Sequence, residues 1–181
     1  MSWVLAGEAD RAEIEAWLDK RHTHAMFPRA NLMHHGMAGG HVHAMTFWLM
    51  RRGGEIAGLV GQSDNGMVLP VQVPPGMEAG VAAALAGREV AGVVGPTEAA
   101  RPLMAVLALT GPAQLDHDEQ HLALDLEELK LPDGPGRIVP VADAPQEAVR
   151  GWIEAYDIEA LGSSPESASS SLFISAALRR S

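Results

Sequence analysis

The sequence predicts an α/β (α+β) fold with one mixed sheet, an antiparallel meander followed by a β-α-β-α-β run. Three observations predict it. An amphipathic helix opens the chain. Three β-forming runs come next, joined by a glycine turn and an Asn-Gly turn. Short apolar runs then alternate with alanine-rich helical stretches.

Each element has its own signal. Glu8 to His22 places Ile14, Trp17 and Leu18 at helical spacing with charges between them. Pro28 to His35 follows as a short helix, with Pro28 in its first turn and Gly36 at its stop. Val42 to Met50 carries the β-formers Val42, Thr46, Phe47 and Trp48. Arg51-Arg52-Gly53-Gly54 turns the chain into a strand over Glu55 to Gln62. Asn65-Gly66 supplies the positive φ of a type I′ hairpin, and Met67 to Val73 returns until Pro74-Pro75 ends the ladder. Met77 to Ala86 reads as helix, Glu89 to Val94 as a short strand, and a helix to Leu109 starts between Thr97 and Pro102. Gln114 to Leu126 reads as partly strand on the alternation Leu122, Leu124, Leu126. The crossovers favour parallel pairing.

Leu131 to Arg137 is the linker, with four Pro or Gly among seven residues. Residues 1–130 therefore read as one domain and 131–137 as the linker. Residues 138–162 read as a further strand and helix, the strand spanning Arg137 to Val141. Asp143 with Gln146 resembles a capping box, and Val149, Trp152, Ile153 and Tyr156 make one apolar helix face. That face is expected to dock on the first domain's sheet or to pair with a second copy as a homodimer. The serine-rich stretch 163–181 reads as a poorly ordered tail.

Composition excludes several functions. The chain has 181 residues, a formal charge of −10 and only two lysines, Lys20 and Lys130, which argues against nucleic acid and an anionic membrane surface. With no cysteine there are no disulfides, thiolate metal sites or cysteine nucleophiles. No apolar run is long enough to span a membrane and the N-terminus has no secretory pattern, so a cytoplasmic protein is expected.

Chemistry-bearing clusters are few. Six of the eight histidines lie in His22-x-His24, His34-His35 and His41-x-His43. Imidazole is a common metal ligand, but no Asp or Glu lies between Lys20 and Glu55 to complete a mixed site, so no metal is expected there. Asp116, Asp118 and Glu119 beside His117 and His121 read as a solvated loop. Gly61-Gln62-Ser63-Asp64-Asn65 lacks the last glycine of a nucleophile elbow, and no phosphate-binding P-loop occurs.

Three strings carry a family resemblance: Met26-Phe27-Pro28-Arg29-Ala30-Asn31-Leu32, Gly87-Arg88-Glu89-Val90-Ala91-Gly92-Val93-Val94-Gly95-Pro96, and Trp152 to Gly162. With the element order, they resemble the GNAT N-acyltransferases, in particular a bacterial two-part group whose GNAT-like first half precedes a catalytic half. The resemblance covers about residues 12–162. It implies acetyl transfer from acetyl-CoA to a small-molecule amine, with the acetyl-CoA pyrophosphate at the helix after the meander. On this chain that place is Gln72-Val73-Pro74-Pro75-Gly76-Met77-Glu78-Ala79-Gly80, which makes Gln72, Gly76 and Gly80 the cofactor-side candidates. Arg29 and Asn31 are the substrate-side candidates, and no catalytic residue is assigned. The loop departs from the family pattern: two prolines lack N–H groups, and Glu78 brings negative charge to the phosphate position. No bound cofactor is therefore expected. Residues 137–162 resemble only the first strand and helix of the catalytic half, so the chain reads as truncated before it.

Overall fold

A computed structural model describes residues 2–109, 111–130, 134 and 139–169. The chain divides into two compact units at Gly111/Pro112, ahead of the expected linker, of which only Gly134 is described.

The first unit is a five-stranded mixed sheet in the order β1-β2-β3-β4-β5. Its elements are β1 (Trp3–Leu5), α1 (Arg11–Asp19), α2 (Met26–His35), β2 (Met45–Arg52), β3 (Glu55–Ser63), β4 (Met67–Gln72), α3 (Glu78–Ala84), β5 (Gly92–Val93) and α4 (Thr97–Leu107). β1 to β4 are antiparallel neighbours, and β5 runs parallel to β4. The mixed sheet and the meander are thus as the sequence predicts. β1 was not foreseen, because three residues carry no periodicity and the strand exists only through its pairing with Trp48–Met50.

Both faces of the meander are buried. Met45, Phe47 and Leu49 of β2 join Ile14 and Leu18 of α1 and Leu32 of α2 in one apolar cluster. Trp48 joins Val60, Val68, Val81 and Leu85 of the α3 segment, and Leu103 of α4, in the other. The helices therefore form two layers with the sheet between them. Each aliphatic side chain so buried contributes about 1.5–3 kcal/mol. The β2–β3 register skips Ala57, since Met50 pairs with Gly58 and Arg51 with Ile56. That bulge lets Ile56 and Leu59, three residues apart, share the first cluster.

Small residues admit close approaches. A Cβ on Gly58 would stand 2.8 Å from Trp3 Cη2, and one on Gly80 2.8 Å from Trp3 Cδ1. The indole is thus wedged between β3 and α3, and its Nε1 donates to the Met77 carbonyl at 3.0 Å. On the second face Gln62 is buried. Its amide donates to the Glu89 carbonyl at 2.7 Å and accepts from Arg88 Nε, so both of its polar ends are satisfied.

The second unit departs further from expectation. Gln114 to Leu126 pairs with no strand among the described residues, so the expected β-α-β-α-β run closes without its last strand. Its leucines face water, Leu122 and Leu126 at 80% and 79% exposure, and alternation without a paired strand makes no ladder. Of the expected strand Arg137–Val141, Arg137 and Ile138 lie outside the described residues, and Val141–Asp143 is a 3-10 turn. α5 spans Gln146–Glu159, with Pro145 rather than Asp143 as its N-cap. Pro145 holds Ala144 extended (φ −83, ψ 156), which stops the helix from starting earlier. Gln146 Nε2 reaches back to the Val141 and Ala144 carbonyls, both at 3.0 Å. Within the expected tail, Pro165–Ser169 forms α6 with Ala168 buried, and residues 170–181 lie outside the described set. On α5, Val149 is buried and Ile153 half-buried, but Trp152 is 70% and Tyr156 59% exposed. The expected apolar face is therefore rotated, with its aromatic half in water.

Gly95 offers a test of the tight β4–β5 edge. A Cβ there would stand 2.5 Å from the Pro70 carbonyl oxygen, a backbone atom that cannot swing aside. Gly95→Ala should lower stability by about 1–3 kcal/mol in urea unfolding. Gly151→Ala, in open space on α5, should cause no loss.

Candidate functional site

The loop between β4 and α3 is set by its prolines and glycine. The Met77 N–H bonds the Pro74 carbonyl at 3.0 Å, closing a turn with Pro75 at its second position and Gly76, at φ +80, at its third. That is the geometry a type II turn requires. The Gly76 N–H donates to Glu78 Oε1 at 3.2 Å. The Met77 carbonyl then accepts from Trp3 Nε1, from the Gly80 N–H at 3.1 Å and from the Val81 N–H at 3.3 Å.

An open groove of about 550 Å³ lies against this loop, lined by Ser2, Trp3, Gly76, Met77, Gly80, Ala83 and Ala84. Its walls are an indole, small side chains and a thioether, without a charge. A smaller groove of about 300 Å³ is lined by Ser2, Val4, Leu5, Leu49, Asp10 and Arg51. Arg51 is already committed. Its Nη2 reaches Asp10 at 3.0 Å and Glu13 at 2.7 Å, and its Nη1 reaches Glu13 at 2.7 Å and the Gly54 carbonyl at 3.0 Å. Those bonds hold the Glu13 carboxyl below the usual carboxylate range, the hydrogen bond being the leading cause, and raise the Arg51 guanidinium.

The residues singled out from the sequence fall in two places. Gly76 and Gly80 line the larger groove. Gln72, at the end of β4, is exposed and donates to the Ala57 carbonyl at 3.1 Å. Arg29 and Asn31 lie on α2, whose layer is on the opposite face of the sheet from α3. Arg29 is bonded to Asp19, and the Asn31 amide contacts Met45 Sδ at 3.6 Å. The structure therefore brings Gly76 and Gly80 together and leaves Arg29 and Asn31 apart from them. Gly80 is a glycine because the Trp3 ring lies against it, a reason no local pattern carries.

The acetyl-CoA pyrophosphate implied by the family resemblance does not fit this loop. Pro74 and Pro75 have no N–H to give, the Gly76 N–H is taken by a carboxylate, and no cation lines the groove. The other candidate clusters are also placed. His117 Nε2 lies 2.9 Å from Glu119 Oε1 in an exposed segment. Among the described residues no group of three His, Asp or Glu is arranged to hold a metal ion. Among the same residues no helix is long and apolar enough to cross a membrane.

No protein family, curated protein or solved structure matches this chain.

The Arg51 fork makes a pH prediction. A carboxyl held low in the folded state adds stability above its unfolded pKa, and that stability is lost as pH falls through the lowered folded value. Arg51→Ala should return the Glu13 carboxyl toward the usual range, read by carbon-13 NMR titration. It should also shrink the loss of thermal stability on acidification through the carboxylate range. An unmoved Glu13 titration would show that the fork does not control it.

Proposed function

We propose that the chain is a GNAT-type module, related to enzymes that move an acetyl group from acetyl-CoA to an amine, whose own acyl-CoA site no longer operates. The observation that carries the reading is the element order. Two helices, an antiparallel meander, a helix, a parallel strand and a helix follow one another from α1 to α4. The order on which the resemblance rests is this one with a further strand after the last helix, and the β4–α3 loop is where such a fold would meet pyrophosphate. Here the loop is closed by its own chemistry: two prolines, a Gly76 amide bound to Glu78 and a groove without charge. Transfer would also need a base for the amine and a donor for the thioester carbonyl, and no residue in the groove supplies a base.

A second reading, a non-catalytic interaction module, is favoured by one observation. Trp152 and Tyr156 are mostly exposed one turn apart on α5, and large exposed aromatics are enriched where proteins meet partners.

Isothermal titration of the full chain with acetyl-CoA tests the proposal. No saturable binding is expected. A dissociation constant below about 10 μM, roughly 7 kcal/mol, would overturn the closed-site reading and restore an active transferase.

A further inference from the structure

The histidines between His22 and His43 have no part in the groove. The fold joins four of them. His34 and His35 end α2, and His41 and His43 lie in the loop that leads to β2. The His35 and His41 rings stack with centroids 3.8 Å apart and planes within 3°. His43 is 5.3 Å from His41 and 5.7 Å from His35, tilted to both, and His34 is 6.3 Å from His35. Two parallel rings at that spacing cannot share a metal, because each ligating lone pair lies in its own ring plane and the planes do not meet.

The stack suits a different task. His41 Nδ1 accepts the His43 N–H at 3.1 Å, a bond that this nitrogen can accept only without a proton of its own. A proton on Nδ1 would set donor against donor and put positive charge on the face of His35. Burial lowers the His35 pKa first, and positive charge on His41, His43 and His34 lowers it further. Among the described residues no carboxylate is bonded to these rings. Two charged groups that reach the loop have other partners. Arg11, whose Nη1 lies 3.9 Å from a Cβ position on Gly36, is held by Glu8 and Glu15. Asp64 accepts the Gly39 N–H at 3.0 Å.

The loop behind the rings turns on its glycines. Gly36, Gly39 and Gly40 all have positive φ (74, 99 and 99). Its inner bonds are few: the Ala38 N–H to the Met45 carbonyl, the Met45 N–H to the Gly36 carbonyl, and the Ala44 N–H to the His41 carbonyl. It also holds the β3–β4 turn, through the Asp64 N–H on the Ala44 carbonyl and the Asn65 N–H on the Val42 carbonyl.

We propose that residues 36–44 form a proton-operated latch, closed while His41 Nδ1 accepts the His43 N–H and released when that nitrogen takes up a proton. Imidazole is the side chain that changes charge most readily near neutral pH, which sets the two pH values compared below. Release would free the 36–44 loop and the 64–66 turn and leave the β2–β3 ladder paired.

Amide exchange by NMR on the full chain, corrected for intrinsic exchange, tests this at pH 7.5 and 5.0. The amides of Ala38, His43, Asp64 and Asn65 should lose about tenfold or more of their protection at the lower pH, while Leu49 and Leu59 keep theirs. His41→Asn is the deciding variant. Its side-chain oxygen can accept the N–H two residues on, as His41 Nδ1 does, but it does not titrate. Protection in this variant should be high at both pH values. Unchanged wild-type protection at pH 5.0, or the same acid loss in His41→Asn, would each overturn the latch.

Discussion

The first unit rests on a ladder with no wet face. β2 and β3 run through the middle of the sheet, and successive residues of β2 enter opposite apolar clusters. A strand in that position cannot alternate apolar with polar, and Met45–Met50 is buried throughout. Helices must then cover both sides: α1 and α2 through Ile14, Leu18 and Leu32, and α3 and α4 through Val81 and Leu103. The single buried amide in the ladder, Gln62, is tolerable because Arg88 and the Glu89 carbonyl satisfy it. Losing either would leave a polar group stranded in the core.

Most of this unit was legible in the sequence, for a physical reason. The meander is local. Its turns are written in Gly53-Gly54 and Asn65-Gly66, and its runs are continuous and apolar, so each strand carries its own signal. What escaped depends on distant partners. β1 exists by pairing with β2 across more than forty residues of chain, as Trp3 does with Met50. Leu122, Leu124 and Leu126 erred the other way: perfect alternation, but no strand pairs with them among the described residues. Asp143 and Gln146 had the spacing of a capping box, yet Pro145 between them decided where the helix starts.

The site divides in the same manner. That two prolines leave a phosphate loop short of donors is a property of the residues themselves and could be read directly. That Glu78 folds back on Gly76, or that Gly80 yields its space to an indole from the chain's first residues, required the fold. Arg29 and Asn31 sat in a recognisable string, but string order does not say which face of a sheet a helix covers. The histidines are the sharpest case. Spacing along the chain groups them as His34-His35 and His41-x-His43, and only the fold stacks His35 of the helix end on His41 of the loop.

The placement of the aromatics makes the two units optically separable. Trp3 and Trp17 are half-buried and Trp48 buried in the first unit, with Trp17 under the Arg21 guanidinium at 3.7 Å and Trp48 facing Arg88 at 5.2 Å. The chain's remaining tryptophan, Trp152, and its one tyrosine, Tyr156, stand in water on α5. Indole emission moves to the red and is quenched by dissolved ions when the ring meets solvent. The first unit therefore emits from shielded indoles and the second from an open one. A selective quencher such as iodide would silence Trp152 and leave the sheet's tryptophans reporting alone, so that unfolding of each unit can be followed in one unlabelled chain.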